Sequence, residues 1–164
     1  ALVNDKLYVT GTLGLSDIGL KKIKVENNEF DIAKNKYLLP EPRVKLAIQL
    51  RKYVNSMIDI SDGLMQDASH LAKTSGLELE LDVEKIPVAD FKSLKKQEIF
   101  QSAMYGGDDY ELLFSISPRN ERYLKKLEKE FDINISKIGK FKKGKIGKIF
   151  SKSDELITKS YLHF

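Results

Sequence analysis

The chain has 164 residues, enough for one domain with a real hydrophobic core, and its 41% hydrophobic and 32% charged content is that of an ordinary globular protein. No apolar run approaches the ~20 residues a membrane span needs, and the opening Ala1-Leu2-Val3-Asn4-Asp5-Lys6 lacks the basic start and apolar stretch of a signal peptide. The absence of cysteine excludes disulfides and thiolate metal sites and suits a cytoplasmic protein. The net charge of +4 owes much to Lys137, Lys140, Lys142, Lys143, Lys145 and Lys148, interleaved with Gly139, Gly144 and Gly147. That spacing reads as a solvated β-hairpin whose rim lysines need no partner. No aromatic platform accompanies them, so no nucleic acid is expected.

In chain order, residues 6–10 alternate and carry β-branched side chains, the pattern of a strand, followed by Gly11, Gly14 and Gly19 at turn and close-packing positions. Residues 41–54 predict a helix with Pro42 in its first turn and Val44, Leu46, Ala47, Ile48, Leu50 and Val54 on its apolar face. Residues 56–61 form a short apolar strand running into Asp62-Gly63, and 64–74 a helix closed by Ser75-Gly76. Residues 77–83 alternate as a strand with one wet face. A helix over 93–105 stops at Gly106-Gly107, and 110–116 is a buried strand. Pro118 opens an amphipathic helix to 130 with Tyr123, Leu124 and Leu127 facing inward, and strands around 133–141 and 145–150 complete the pattern. Helices alternate with strands, yet hairpins occur. The expectation is an α/β (α+β) fold, a mixed β-sheet flanked by helices, in one domain.

Two acidic clusters stand at strand–turn junctions. In Asp59-Ile60-Ser61-Asp62-Gly63, residues two apart share a strand face, so Asp59 and Ser61 project together while Ile60 points inward. Carboxylates and a hydroxyl then converge beside a helix N-terminus. These hard oxygen ligands suit magnesium, and the helix start suits an anion. Ser61 or Asp62 would also serve as a plain helix cap, which leaves Asp59 on an apolar strand unexplained. The second cluster is Gly106-Gly107-Asp108-Asp109-Tyr110-Glu111, where paired glycines allow close backbone approach and two acids open a strand. A turn with solvated acids reads equally from these residues.

The segments 56–64 and 106–114 resemble the two signature segments of the thiamine-monophosphate kinases. The likeness continues through Tyr8-Val9-Thr10-Gly11-Thr12-Leu13-Gly14, Gly19-Leu20 and Tyr37-Leu38-Leu39-Pro40-Glu41-Pro42-Arg43-Val44, and ends on Tyr161-Leu162-His163-Phe164. Aminoimidazole ribonucleotide synthetase and selenophosphate synthetase share the architecture but not the wording of 106–114. The resemblance implies the C-terminal domain of the aminoimidazole ribonucleotide synthetase-like superfamily. It also implies a separate N-terminal domain, absent from this chain, that carries most ATP and magnesium ligands and forms the homodimer.

By the same resemblance, Asp59 and Asp62 match magnesium ligands, and Ser61 a nucleotide contact. Asp108 stands where the family usually has Glu and contacts thiamine phosphate. Tyr161, or else Phe164, is the aromatic that meets the substrate, with core packing of the chain end the alternative. Ser160 stands where the family usually has Gly. The implied reaction is in-line transfer of the ATP γ-phosphoryl to thiamine phosphate with Mg2+, and no residue is assigned a catalytic base. A different ATP-dependent enzyme of the same architecture and a non-enzymatic interaction module are the alternatives.

Overall fold

In a computed structural model, described here for residues 1–151, six strands form one mixed sheet. β1 (Lys6–Thr10) lies at its centre, between β4 (Leu112–Ile116) and β5 (Ile135–Lys142). β2 (Val54–Asp59) forms the edge beyond β4, while β3 (Glu78–Leu81) and then β6 (Ile149–Ser151) lie beyond β5. Every pairing is antiparallel except β3 with β6. Among the described residues no helix is long and apolar enough to cross a membrane.

The alternation read in β1 has its expected consequence. Leu7 and Val9 are fully buried on one face, against Leu64, Ala68 and Leu71 of α4 (Leu64–Thr74) and Ala103 and Met104 of α5 (Lys96–Tyr105). On the other face Tyr8 stacks on Phe114, with ring centroids 5.8 Å apart. There Leu46 and Leu50 of α3 (Val44–Leu50) and Leu124 and Leu127 of α6 (Leu124–Phe131) cover the sheet. A third apolar cluster joins α1 (Leu15–Lys21), α2 (Asp31–Leu38) and α5 through Ile18, Ala33 and Ile99. Helices thus sandwich the sheet, and each fully buried Leu or Phe contributes about 1.5–3 kcal/mol of transfer free energy.

Two expectations need correction. The helix over 41–54 is only α3, because the Val44 amide turns back to the Pro42 carbonyl at one end and Val54 joins β2 at the other. The lysine-rich strands do not form a hairpin, because β3 lies between β5 and β6. The acids of β3 explain the arrangement. Glu78 stands opposite Lys142 and Glu80 opposite Lys140 across one ladder. Lys140 and Lys142 both pair with Glu80, and Lys148, just before β6, reaches Glu78 at 3.7 Å. Opposite charges across neighbouring strands favour this register. Much of the lysine excess is therefore matched within the chain. The segment from Pro118 also differs in detail, starting as a 3-10 helix to Tyr123 before α6.

Both outer neighbours of the central β1–β4 pair carry a register shift. On the β5 side it falls between Leu7 and Tyr8, and in β2 between Val54 and Ser56. Asn55, the extra residue in β2, donates its side-chain amide to buried Asp5 and to Ser117.

One buried carboxylate ties the irregular segments to the sheet. Glu111 is 1% exposed just ahead of β4. It accepts hydrogen bonds from Thr10 Oγ1 (2.6 Å), Lys36 Nζ (2.9 Å) and both Arg43 Nε (3.0 Å) and Nη2 (2.7 Å). Thr10 in turn receives the Leu112 amide. Burial alone would push the Glu111 carboxyl up. Arg43, Thr10 and Lys36 together outweigh it and hold the group below its ordinary range. Removing one partner of such a group strands the others without a counter-charge. Glu111→Ala should destabilise the chain by as much as about 3–5 kcal/mol, as for other broken buried pairs, read as a lower urea midpoint with unchanged slope.

Candidate active site

The two acidic clusters meet at one end of the sheet. The Ile60 amide donates to the Glu111 carbonyl (2.8 Å), the Tyr110 amide to the Ile60 carbonyl (2.9 Å) and the Asp108 amide to the Ser61 carbonyl (3.0 Å). The end of β2 and the approach to β4 are therefore stitched together by backbone hydrogen bonds. A Cβ at Gly107 would run into the Ser61 carbonyl oxygen, so this approach requires glycine. Asp59 closes β2 with its side chain exposed, and that carboxylate makes no hydrogen bond or ion pair with a described residue. Asp62 is also exposed and, among the described residues, accepts only from Gln66 Nε2, at 2.9 Å. Because Asp59 is exposed to solvent, it needs no buried partner.

Neither Ser61 nor Asp62 caps α4. The cap position is Gly63 (φ 104°), which has no side chain to offer. Asp67, one turn into α4 and 2% exposed, reaches back instead. One oxygen, Oδ2, accepts from the backbone amides of Ser61 and Asp62, each at 3.1 Å. Burial raises the Asp67 carboxyl above its ordinary value against those two amides, with the charges of Asp62 and Asp59 adding to the rise.

Asp108 and Tyr110 are both left-handed, at φ 63° and 51°. Such a backbone costs a non-glycine residue about 1–3 kcal/mol and persists only where the surroundings enforce it. It turns Asp108 outward, where the Tyr110 hydroxyl donates to it at 3.1 Å. Asp109, between them, is fully buried. Its Oδ2 accepts from the Gly14 amide (2.6 Å) and its Oδ1 from the Ser16 amide (3.2 Å), at the start of α1. The Ser16 hydroxyl donates to the Asp108 carbonyl (2.8 Å), so α1 and the turn hold each other.

The cluster thus divides by burial. Asp59, Asp62 and Asp108 face outward with oxygens to spare, while Asp67, Asp109 and Glu111 face inward and serve the fold. Two exposed carboxylates beside a loop and a helix start fit a magnesium ion that keeps waters and takes further oxygens from a phosphate. Among the described residues no three His, Asp or Glu side chains converge on one metal position. A cleft of about 420 Å³ opens on the α3 face next to Asp59 and Tyr110, walled by Met57, Ala47, Ile48 and Leu112. Tyr161 and Phe164 lie outside the described residues. The inward roles of Asp67, Asp109 and Glu111 were not read from the sequence.

A mixed sheet flanked by helices, with acids gathered at one strand end, defines a known class of domain. The chain belongs to the family described as AIR synthase related protein, C-terminal domain, whose model matches residues 3–152. Its relatives are more specific. It is 38% identical over 146 residues to the thiamine-monophosphate kinase of Buchnera aphidicola, covering 85% of this chain and 45% of that protein. The crystal structure of thiamine-monophosphate kinase from Stenotrophomonas maltophilia superposes with a TM-score of 0.86 at 26% identity, over 94% of this chain and 52% of that one. The structure of AaThiL complexed with AMPPCP and TMP gives 0.76 at 30% identity, over 92% and 48%. The chain spans about half the length of the curated relatives it matches.

The buried acids also set a pH signature. Burial pushes the Asp109 carboxyl up to about 6, against the Gly14 and Ser16 amides and the charge of Lys36. The folded chain therefore holds this proton more tightly than the unfolded one, where the value is the ordinary 3.8. Asp109's contribution to stability is greatest below that value and falls as pH rises through about 6. Glu111 acts in the opposite sense: its contribution is present above its ordinary 4.5 and lost as pH falls below it. Followed by carbon-13 NMR, the Asp109 carboxyl should titrate with its midpoint near 6. A midpoint in the usual aspartate range would show that the two amides outweigh burial.

Proposed function

We propose that this chain is the C-terminal domain of a thiamine-monophosphate kinase. In that role it takes part in transferring the γ-phosphoryl of ATP to thiamine phosphate, giving thiamine diphosphate, in the cytoplasm. The observation that carries the reading is the pairing of the segment 59–63 with 106–111 at one sheet end, where Asp59, Asp62 and Asp108 are exposed and Asp59 stands at the rim of the cleft beside α3. It is supported by relatives named thiamine-monophosphate kinase and by the likeness to AaThiL complexed with AMPPCP and TMP.

Asp59 and Asp62 would hold magnesium, which neutralises phosphate charge when bound. Two carboxylates are a partial set, to be completed by phosphate oxygens, water and a separate N-terminal domain of the whole protein. That domain would also form the homodimer. Ser61, on the loop braced by Asp67, would contact the nucleotide. Asp108 would contact thiamine phosphate, its outward direction fixed by the left-handed turn and its carboxylate oriented by the Tyr110 hydroxyl. Tyr161, or Phe164, would supply an aromatic face for the same substrate. A phosphate nucleophile is already anionic, so positioning and charge neutralisation do the chemical work and no side chain need remove a proton.

Two experiments test this in a protein joining the domain to the N-terminal half its relatives carry. Asp59→Asn and Asp62→Asn should each lower turnover by an amount equivalent to several kcal/mol of transition-state stabilisation, with thermal stability retained. Near-wild-type rates at low magnesium would remove both from the site. Asp108→Ala should raise the KM for thiamine phosphate by about 1–3 kcal/mol in binding terms while leaving that for ATP unchanged. Asp108→Glu should restore it. A loss of thermal stability with both KM values unchanged would make Asp108 a turn residue.

A further inference from the structure

Asp67 belongs to none of the roles above, yet it touches the backbone of two residues that have them. It is buried in the first turn of α4, and its Oδ2 accepts hydrogen bonds from the amides of Ser61 and Asp62. Among the described residues no other group accepts a hydrogen bond from those two amides. Gly63, at φ 104°, gives α4 no capping side chain. On the opposite side of the loop the Ser61 carbonyl receives the Asp108 amide at 3.0 Å.

We propose that Asp67 is a positioning residue for the cation and nucleotide loop: it fixes the backbone of Ser61 and Asp62 so that the Asp62 carboxylate is presented beside Asp59 before any cation arrives. The proposal rests on the reading of Asp59 and Asp62 as magnesium ligands. Its physical content is preorganisation. The Asp62 side chain is exposed, and among the described residues its one side-chain hydrogen bond is from Gln66, so its direction is set mainly by where its own Cα sits. A loop free to swing would have to be ordered as the cation bound, and that cost would appear as weaker binding. Partners that orient metal ligands typically change metal affinity 10–100-fold when removed.

Because a single oxygen accepts both amides, the arrangement separates geometry from charge. In Asp67→Asn, the amide oxygen can take the place of Oδ2 and keep both hydrogen bonds while the charge is lost. Asp67→Ala loses the bonds and the charge together.

The test uses the whole protein, joined to the N-terminal half its relatives carry. Binding of Mg2+ with AMPPCP is measured by isothermal titration calorimetry, and exchange of the Ser61 and Asp62 amides by hydrogen–deuterium exchange. Asp67→Ala should weaken Mg2+ binding about 10–100-fold and speed exchange at those two amides, while amides of the central strand β1 keep their protection. Asp67→Asn, which keeps both hydrogen bonds, should stay close to wild type in both.

Three results would overturn the proposal: Mg2+ binding unchanged in Asp67→Ala, an Asn variant as impaired as Ala, or amide loss spread evenly over the sheet. The last would mark Asp67 as a general brace of the fold. Should Asp67→Ala fail to fold, the Asn comparison alone decides. A wild-type protein that binds Mg2+ and AMPPCP yet does not phosphorylate thiamine phosphate would sink the functional reading and leave this inference intact.

Discussion

A single ionised carboxylate, buried where water cannot reach it, governs how this end of the domain is assembled. Glu111 is tolerable inside the protein only because Thr10, Lys36 and Arg43 come to it from three different segments. Satisfying one charge therefore draws the end of β1, the last turn of α2 and the stretch before α3 to one point. The β1–β4 ladder and the packing of α3 on β4 hold the same segments by other means, so the charge adds a polar tie to an apolar one. Arg43 is committed to Glu111 in a two-pronged bond just where the chain turns into α3.

The same logic is repeated twice more around the site, with backbone amides in place of cations. Asp109 takes two amides at the start of α1, and Asp67 takes two in the loop before α4. Each is an acid buried behind the surface on which an exposed acid stands. The arrangement keeps the outward carboxylates of Asp59, Asp62 and Asp108 on a stiff base while leaving their oxygens uncommitted or lightly bonded. A rigid frame with unfilled anionic ligands suits a charged partner that arrives from solvent.

Much of this was legible in the sequence. Residues 6–10 alternate as a strand and form one, and 64–74 read as a helix between glycines and are α4. The two acidic segments stood out from their residue types alone, and they are indeed neighbours in space. What the sequence did not disclose was direction. In Asp108-Asp109-Tyr110-Glu111 the choice of which acid is exposed depends on two left-handed dihedrals, enforced by the Ser61 carbonyl and the Ser16 hydroxyl, both distant along the chain. Nor could spacing reveal that β3 would separate the lysine-rich strands, since that order follows from charge pairing between strands rather than from any pattern within one.

The extra residue in β2 bears on how such a domain can vary. Between Asn55 and Asp59 the strand is in step with β4, with Ser56 facing Ser115 and Asp59 facing Leu112. Before Asn55 it is out of step by one. A kink of this kind works like an expansion joint: changes in the length of the α3–β2 connection can be absorbed there, ahead of the residues whose side must not change. Without it, a single residue gained or lost upstream would invert the parity of the strand and turn Asp59 into the core. Divergence in the stretch around α3 is thereby uncoupled from the chemistry a few residues downstream.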